Sequence, residues 1–226
     1  MKTVRIWFEK RGDVKYISHL DLNRAILRGL QRSELPIWYT EGYNKHAYIT
    51  FALPLPLGFE SLCESFDFRL MEDLPMEEVV ERLNAQMPEG IRIYDACEPA
   101  DKPDAIAYAD YRVRFLLEGM TPAESLAAFH RMAEGETLIL PKKTKKGIRE
   151  IDVRPMFEVK DSYADEQLAV VLLRTHAGSR ENLNPALLFE ALAEREGRAL
   201  WDVDYLRSDI LTGVYDDLWE RYKEFR

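Results

Sequence analysis

Residues 16–60 read YISHLDLNRAILRGLQRSELPIWYTEGYNKHAYITFALPLPLGFE, and the reading of this stretch decides the fold. Ser18 has the position of a helix N-cap, Asp21 follows at the capping-box spacing, and Ile17 and Leu22 have the spacing of a hydrophobic staple. Leu22, Ile26 and Leu30 recur every four residues and predict one buried stripe, with Leu27 beside it. Arg24, Arg28 and Arg32 recur with the same period and line a neighbouring face. Pro36 ends the helical region, because the residue before a proline is pushed out of the helical conformation. Ile37–Tyr39 and Ile49–Leu53 read as extended segments on either side of an aromatic, glycine-containing loop, Glu41–Tyr48. The Leu-Pro repeat in Leu53–Gly58 cannot be the interior of a central strand, since each proline lacks a ladder donor, and reads as a stiff crossover.

Outward from this stretch, residues 2–9 alternate Val4, Ile6 and Phe8 against Thr3, Arg5 and Trp7, the period of a half-buried strand. On the other side Cys63–Leu70 alternates as a strand. Pro75 opens a helix with an acidic first turn, residues 88–90 stop it, and Ile91–Ala96 is the next strand. The order is β-α-β, an inserted extended loop, then β-α-β, which is the ferredoxin-like pattern. Residues 98–107 have the Pro/Asp content of a linker. A similar order then repeats. Tyr108–Leu117 reads as a strand, Thr121–Ala133 as a helix with Thr121 as N-cap and Pro122 behind it, and Thr137–Leu140 as a strand. Leu168–Thr175 follows as an apolar strand, Pro185–Arg195 as a helix closed near Gly197, and Trp201–Leu211 as a strand; the tail Val214–Phe225 reads as a final helix. The expectation is an α+β protein of two tandem ferredoxin-like (βαββαβ) domains. These are residues 1–98, with the inserted aromatic and basic loop, and residues 107–226, with a basic loop at 141–149. A single α+β domain is the alternative.

At 226 residues and 46% hydrophobic content the chain can bury a substantial core. Its first residues alternate like a strand and lack the apolar region of a signal peptide, and no apolar run approaches the roughly 18 residues of a membrane span. Cys63 and Cys97 are far apart, show no CxxC spacing, and read as two buried free thiols in a reducing cytoplasm, with a pairing of the two as the alternative. The net charge of −9 and pI near 5.1 exclude indiscriminate nucleic-acid binding, because most of the surface repels phosphate. The base is local. Residues 1–60 carry nine Lys/Arg against six Asp/Glu (+3), and residues 142–154 carry six against two (+4), which leaves −9 − 3 − 4 = −16 for the remainder.

Metal and radical chemistry find no ligands in this sequence. An iron–sulfur cluster of the kind that cleaves S-adenosylmethionine needs three closely spaced cysteines, and a zinc site needs three or four convergent ligands. The four histidines form no HxxxH or HExxH pair, and Walker A, GxGxxG and GxSxG motifs are absent. No metal and no cofactor is expected. Acid–base chemistry is left to His19 or His46, with Tyr43, and also Tyr16 or Ser18, as helpers. His19 lies in the first helical turn, where the helix dipole favours a neutral imidazole, although a packing or capping role fits the same position. In the loop, Tyr43, Asn44, Lys45, His46 and Tyr48 combine stacking surfaces with groups that meet phosphates, and Trp38 adds a further ring. A packed surface loop is the plainer reading. Arg24, Arg28 and Arg32 are suited to phosphate contacts, or else are solvated or paired with Asp21 or Glu34. Lys142, Lys143, Lys145 and Lys146 sit between a proline and a glycine, as at a hairpin tip that reaches along a phosphate backbone, or that merely solubilises a turn.

Three segments, SHLDLNRAILRGL, EGYNKHAYITFALPLPLGFES and IDVRPMFEV, together with RTHAGSRENLNPALLFEAL, carry a family resemblance. The chain resembles an uncharacterised bacterial family described as radical-SAM-linked, found as separate proteins or as an extension of a radical SAM enzyme. The resemblance covers most of the chain and is strongest over residues 16–70. Ser18–Asp21 match the family's helix start, Gly42–Asn44 its Gly-aromatic-Asn loop, and residues 53–56 its Leu-Pro-Leu-Pro run. Lys45 and Ala47 stand where many relatives have prolines flanking the loop histidine. In architecture alone the chain is also similar to the repeat-processing endoribonucleases of CRISPR systems, whose C-terminal glycine-rich loop is not matched by Ala177-Gly178-Ser179. These resemblances imply a cytoplasmic, cofactor-free RNA-binding accessory protein that partners a radical SAM enzyme acting on tRNA or rRNA. A metal-independent endoribonuclease using His19 or His46, and a protein-only docking adaptor for the radical SAM partner, are the alternatives.

Overall fold

The helix signalled at Ser18 forms as α1, His19–Arg32. The computed structural model describes residues 1–43, 45–144, 147–213 and 222–226, with no side-chain description for residues 142–144 and 222–223. Ser18 Oγ accepts from the Asp21 N–H at 3.2 Å, while the Ser18 hydroxyl donates to the Asp21 carboxylate at 2.7 Å. The return bond therefore goes to the hydroxyl rather than to the cap backbone of a full capping box. Glu34 takes a left-handed φ of 53°, so the helix stops before Pro36 acts.

The chain is mixed α and β, mostly sheet, with four α-helices among the described residues. It divides into two units, Met1–Ile106 with Glu224–Arg226, and Ala107–Lys223. In the first unit β1 (Lys2–Lys10), α1, β2 (Thr50–Phe51), β3 (Phe59–Leu70), α2 (Met76–Asn84) and β4 (Ile91–Cys97) follow in order. The strands are antiparallel in the order β4-β1-β3-β2. Register pairs Val4 with Phe68 and Ile6 with Phe66, so the middle of one sheet face is apolar, and Phe8 next along it pairs with the buried Glu64. Leu22, Ile26 and Leu30 of α1 and Val79 and Leu83 of α2 pack on this face, all within 2% of complete burial. Each such side chain contributes roughly 1.5–3 kcal/mol. The Leu53–Gly58 run connects β2 to β3 and buries Leu53 and Leu55.

The opposite face of β1 carries Arg5 and Trp7. Arg5 is completely buried, and it forms a two-bond fork with Asp67 of β3 at 2.7 and 2.8 Å. Its Nη1 donates to the carbonyls of Asp101 and Arg226 at 2.9 and 3.0 Å, and Phe225 lies under the guanidinium at 4.3 Å. Trp7 meets the same Phe225 ring edge-on at 5.9 Å. The last residues of the chain thus seal this part of the sheet.

The second unit contains most of β5 (Ile106–Leu117), then α3 (Pro122–Ala133), β6 (Ile139–Thr144), β7 (Gly147–Asp152), β8 (Phe157–Ala164), β9 (Ala169–His176), α4 (Ala186–Glu196) and β10 (Leu200–Gly213). The sheet order is β10-β5-β9-β8. Its core centres on Phe129 of α3, stacked on Phe189 of α4 at 5.3 Å, with Phe115 of β5 edge-on to Phe189 at 4.9 Å. Thr121 and Glu124 form a complete capping box, and the hydrogen bonds from the Thr121 N–H and hydroxyl hold the Glu124 carboxyl below its usual range.

Two segments fold differently from the pattern their residues suggest. Thr137–Leu140 is not a strand of the main sheet; Ile139 opens β6, which pairs only with β7 in a separate two-stranded ribbon. The sheet position beside β9 belongs to β8, which the sequence pattern conceals. Among its residues only Phe157 is fully buried, and a register shift between Val159 and Asp161 breaks the alternation. In the tail, Tyr222–Glu224 forms a short strand (β11) rather than helix, and residues 214–221 lie outside the described residues.

Gly90 shows how tightly the first unit closes. Its φ is +86°, and a Cβ there would lie 2.5 Å from the Arg11 carbonyl oxygen and 2.7 Å from Val14 Cγ2. Left-handed strain of about 1–2 kcal/mol and overpacking of about 1–3 kcal/mol add at this site. Gly90→Ala is expected to lower urea-unfolding stability by about 2–5 kcal/mol, whereas Gly58→Ala loses only about 1–2 kcal/mol. Gly58 has a similar φ of +83°, but a methyl group added there would meet nothing within 4 Å.

Candidate nucleic-acid interface

The loop after α1 is a closed neck with an open tip. Tyr39 and Ala47 form an antiparallel bridge, and the Thr40 N–H donates to the His46 carbonyl at 2.9 Å. The His46 N–H donates to Thr40 Oγ1 at 3.2 Å, and His46 Nδ1 lies 3.2 Å from the same hydroxyl. Ala47 is buried in the core and fixes the neck to the sheet. Beyond the neck the side chains turn outward. At the tip Tyr43 is fully exposed and Lys45 is exposed; in the neck itself His46 is exposed, and Tyr48, on the sheet side of the neck, is half-exposed. Asn44 lies outside the described residues. An aromatic ring left wholly in water at a pinned tip contributes nothing to the core, and its face is available for stacking.

The two histidines expected as acid–base groups have different surroundings. His19 is half-buried at the start of α1, its ring edge-on to Phe51 at 4.8 Å, and its Nδ1 is buried without a hydrogen-bond partner among the described residues. This is a packing environment. His46 is held by Thr40 at the loop neck, and Tyr43 points away into solvent at the tip. A histidine–carboxylate contact that no local pattern singles out occurs elsewhere. His176 Nδ1 lies 2.7 Å from Glu181, with Tyr108 edge-on to the imidazole at 5.4 Å. The Leu183 N–H also donates to the His176 carbonyl, so these contacts pin the turn between β9 and α4.

The arginine stripe of α1 is unequal. Arg24 donates to Asp21 at 3.1 Å, and the Ser18 hydroxyl, with Arg24 behind it, holds the Asp21 carboxyl below its usual range. Arg32 donates to the side-chain and backbone oxygens of Gln86 at 3.3 and 2.8 Å, just beyond the C-terminal end of α2. Arg28 is exposed and makes no ion pair among the described residues. On the basic ribbon, Lys142 and Lys143 pair in register with Arg149 and Ile148; Lys145 and Lys146 lie outside the described residues. The hairpin expected from the bracketing proline and glycine is present.

Beside Tyr48 is a small cavity of about 180 Å³ whose lining includes Thr3, Thr50, Asp67 and Arg69 together with Phe68 and Pro103. Register explains the grouping. Thr3 pairs with Arg69, Arg5 with Asp67, and Thr50 with Asp67, so these positions share the sheet face that points away from the apolar core. Arg69 is held over Trp38 at 5.2 Å, which gives that ring a structural partner. No local pattern marks Thr3, Thr50, Asp67 and Arg69 as a group, because they come from three separate strands. Only the strand order brings them together. Among the described residues no three His, Cys, Asp or Glu side chains converge as a metal site requires, and no helix is long and apolar enough to cross a membrane. Both cysteines are free.

The chain belongs to the family described as "Uncharacterized protein conserved in bacteria (DUF2344)", which matches residues 3–185. That span takes in α1, the aromatic loop, the cavity and the basic ribbon. No curated protein matches the chain.

The inequality of the arginines is testable. Arg32→Ala is expected to lower the thermal midpoint measurably, since it removes the donors that meet Gln86, whereas Arg28→Ala is expected to leave it unchanged. Thermal scans of the two variants beside the wild type check this.

Proposed function

We propose that the protein is a cytoplasmic RNA-binding accessory protein that works with a radical SAM enzyme in the modification of tRNA or rRNA. The observation that carries this reading is the loop Glu41–Tyr48, whose neck is pinned by Thr40 and His46 while Tyr43 is left fully exposed beside Lys45. Stacking platforms next to cations are how proteins hold unpaired bases without reading a duplex groove. The exposed Arg28 and the lysines of the β6–β7 ribbon supply the phosphate contacts, in a chain whose remaining surface is acidic. The acidity confines binding to these places. The strand orders β4-β1-β3-β2 and β10-β5-β9-β8 support reading each unit as a split βαβ, ferredoxin-like fold, with the ribbon as an insertion in the second. The radical SAM partnership rests on the resemblance of residues 16–70 and 140–190 to proteins linked to such enzymes. The packing environment of His19 favours the accessory role over the nuclease alternative.

RNA binding of this kind has a salt signature. Fluorescence anisotropy with single-stranded RNA is expected to show affinity falling with salt, at a log–log slope of roughly 0.7 per phosphate contact. Arg28→Glu and Lys45→Glu should each flatten that slope by at least one contact. No binding at low salt would remove the RNA reading and leave protein docking in its place.

A further inference from the structure

The face of the first unit's sheet that points away from the helices is closed at one end and open at the other. Over Arg5 and Trp7 it is sealed by Phe225 and Arg226. At the β2 edge it opens into the cavity lined by Tyr48, Asp67 and Arg69. We infer that this cavity is a receptor for a single unpaired guanine base, a reading that rests on the RNA-binding role proposed above and specifies what the site holds.

The size of the cavity, about 180 Å³, suits one ring system and not a duplex. Tyr48 is half-exposed at its rim and offers an aromatic face to a base. The chemistry is set by Asp67. Its two oxygens accept the Arg5 fork, which fixes the carboxylate in place, yet 18% of its side-chain surface remains open. A carboxylate has about four acceptor sites, so lone pairs are left over after the two Arg5 bonds. An acceptor-only group selects an edge with adjacent donors. Among the four bases, guanine alone presents an imino and an amino N–H side by side on its Watson–Crick edge. Adenine and cytosine each place an acceptor beside the amino group, and uracil flanks its imino N–H with two carbonyls. Arg69, itself steadied over Trp38, adds a donor at the same cavity for a carbonyl or ring-nitrogen acceptor, and Thr3 and Thr50 add hydroxyls. Arg5 is a positioning residue here: it touches Asp67, not the base.

The test compares short uridine-rich single-stranded RNAs that carry one guanosine, one inosine or one adenosine, alongside free guanosine 5′-monophosphate, on the intact protein. Inosine keeps the imino N–H and lacks the amino group, so it reads the carboxylate without any mutation. The guanosine RNA is expected to bind on the order of tenfold or more tighter than the inosine and adenosine RNAs. Asp67→Asn should abolish that preference, and Tyr48→Ala should weaken all three RNAs on the order of tenfold. Asp67→Asn leaves Arg5 without its carboxylate, so if it does not fold, the inosine comparison on the wild type and the exposed Tyr48→Ala variant still decide. Equal binding of all three RNAs, unchanged in Tyr48→Ala, overturns the guanine receptor and leaves RNA binding standing. Binding of the free nucleotide that is lost in Tyr48→Ala, with no RNA bound, supports the receptor with a free nucleotide as its ligand and overturns the RNA reading. Binding of neither probe overturns both.

Discussion

The guanidinium of Arg5 is the constraint on which the first unit depends. Four of its five N–H donors are used, two by Asp67 and two by the carbonyls of Asp101 and Arg226, and Phe225 covers its face. One side chain therefore joins β1, β3, the segment after β4 and the end of the chain. Burying a charge costs several kcal/mol unless it is paired and hydrogen-bonded, and this one is both. The arrangement also explains why Asp67 is rigid at the edge of the cavity, since the fork leaves it no freedom to turn. The second unit repeats the device with the charges exchanged. Asp110 of β5 and Arg174 of β9 face each other in register and form a two-bond fork at 2.7 Å in both bonds.

Much of this was legible in the sequence, and for physical reasons. The Leu22, Ile26 and Leu30 period specifies a helix face whatever that face packs on, and the Ser18 cap is local chemistry. The β1 alternation and the Thr121 N-cap are readable on the same grounds, while the full capping box with Glu124 is a finding of the structure. What was hidden is what depends on pairing between distant segments. β8 is marked by a bulge and by exposed charges, so its membership of the sheet follows from its partner β9 and not from its own residues. Arg5 looked like the polar half of an alternating strand. Nothing local says that a chain end 221 residues away covers it.

The candidate site divides in the same way. The loop Glu41–Tyr48 could be singled out because aromatic, amide and cationic residues crowd a short stretch beside a glycine. That His46 serves the loop neck, that Arg32 serves the end of α2, and that Trp38 supports Arg69 could not, because each role depends on how the chain folds back on itself. These contacts assign several of the basic and aromatic residues to the fold. Tyr43, Lys45, Tyr48 and Arg28 are left facing outward.

The RNA reading proposed above rests on the loop that carries Tyr43 and Lys45, exposed groups that can stack on bases and meet phosphates, in a chain of net charge −9. Ultraviolet crosslinking in living cells, followed by mass spectrometry of the recovered protein, tests that claim most directly. Nucleotide adducts are expected on the peptide that contains Tyr43 and Tyr48. A protein recovered from cells without nucleotide adducts, or with adducts only on peptides away from this loop, would contradict it.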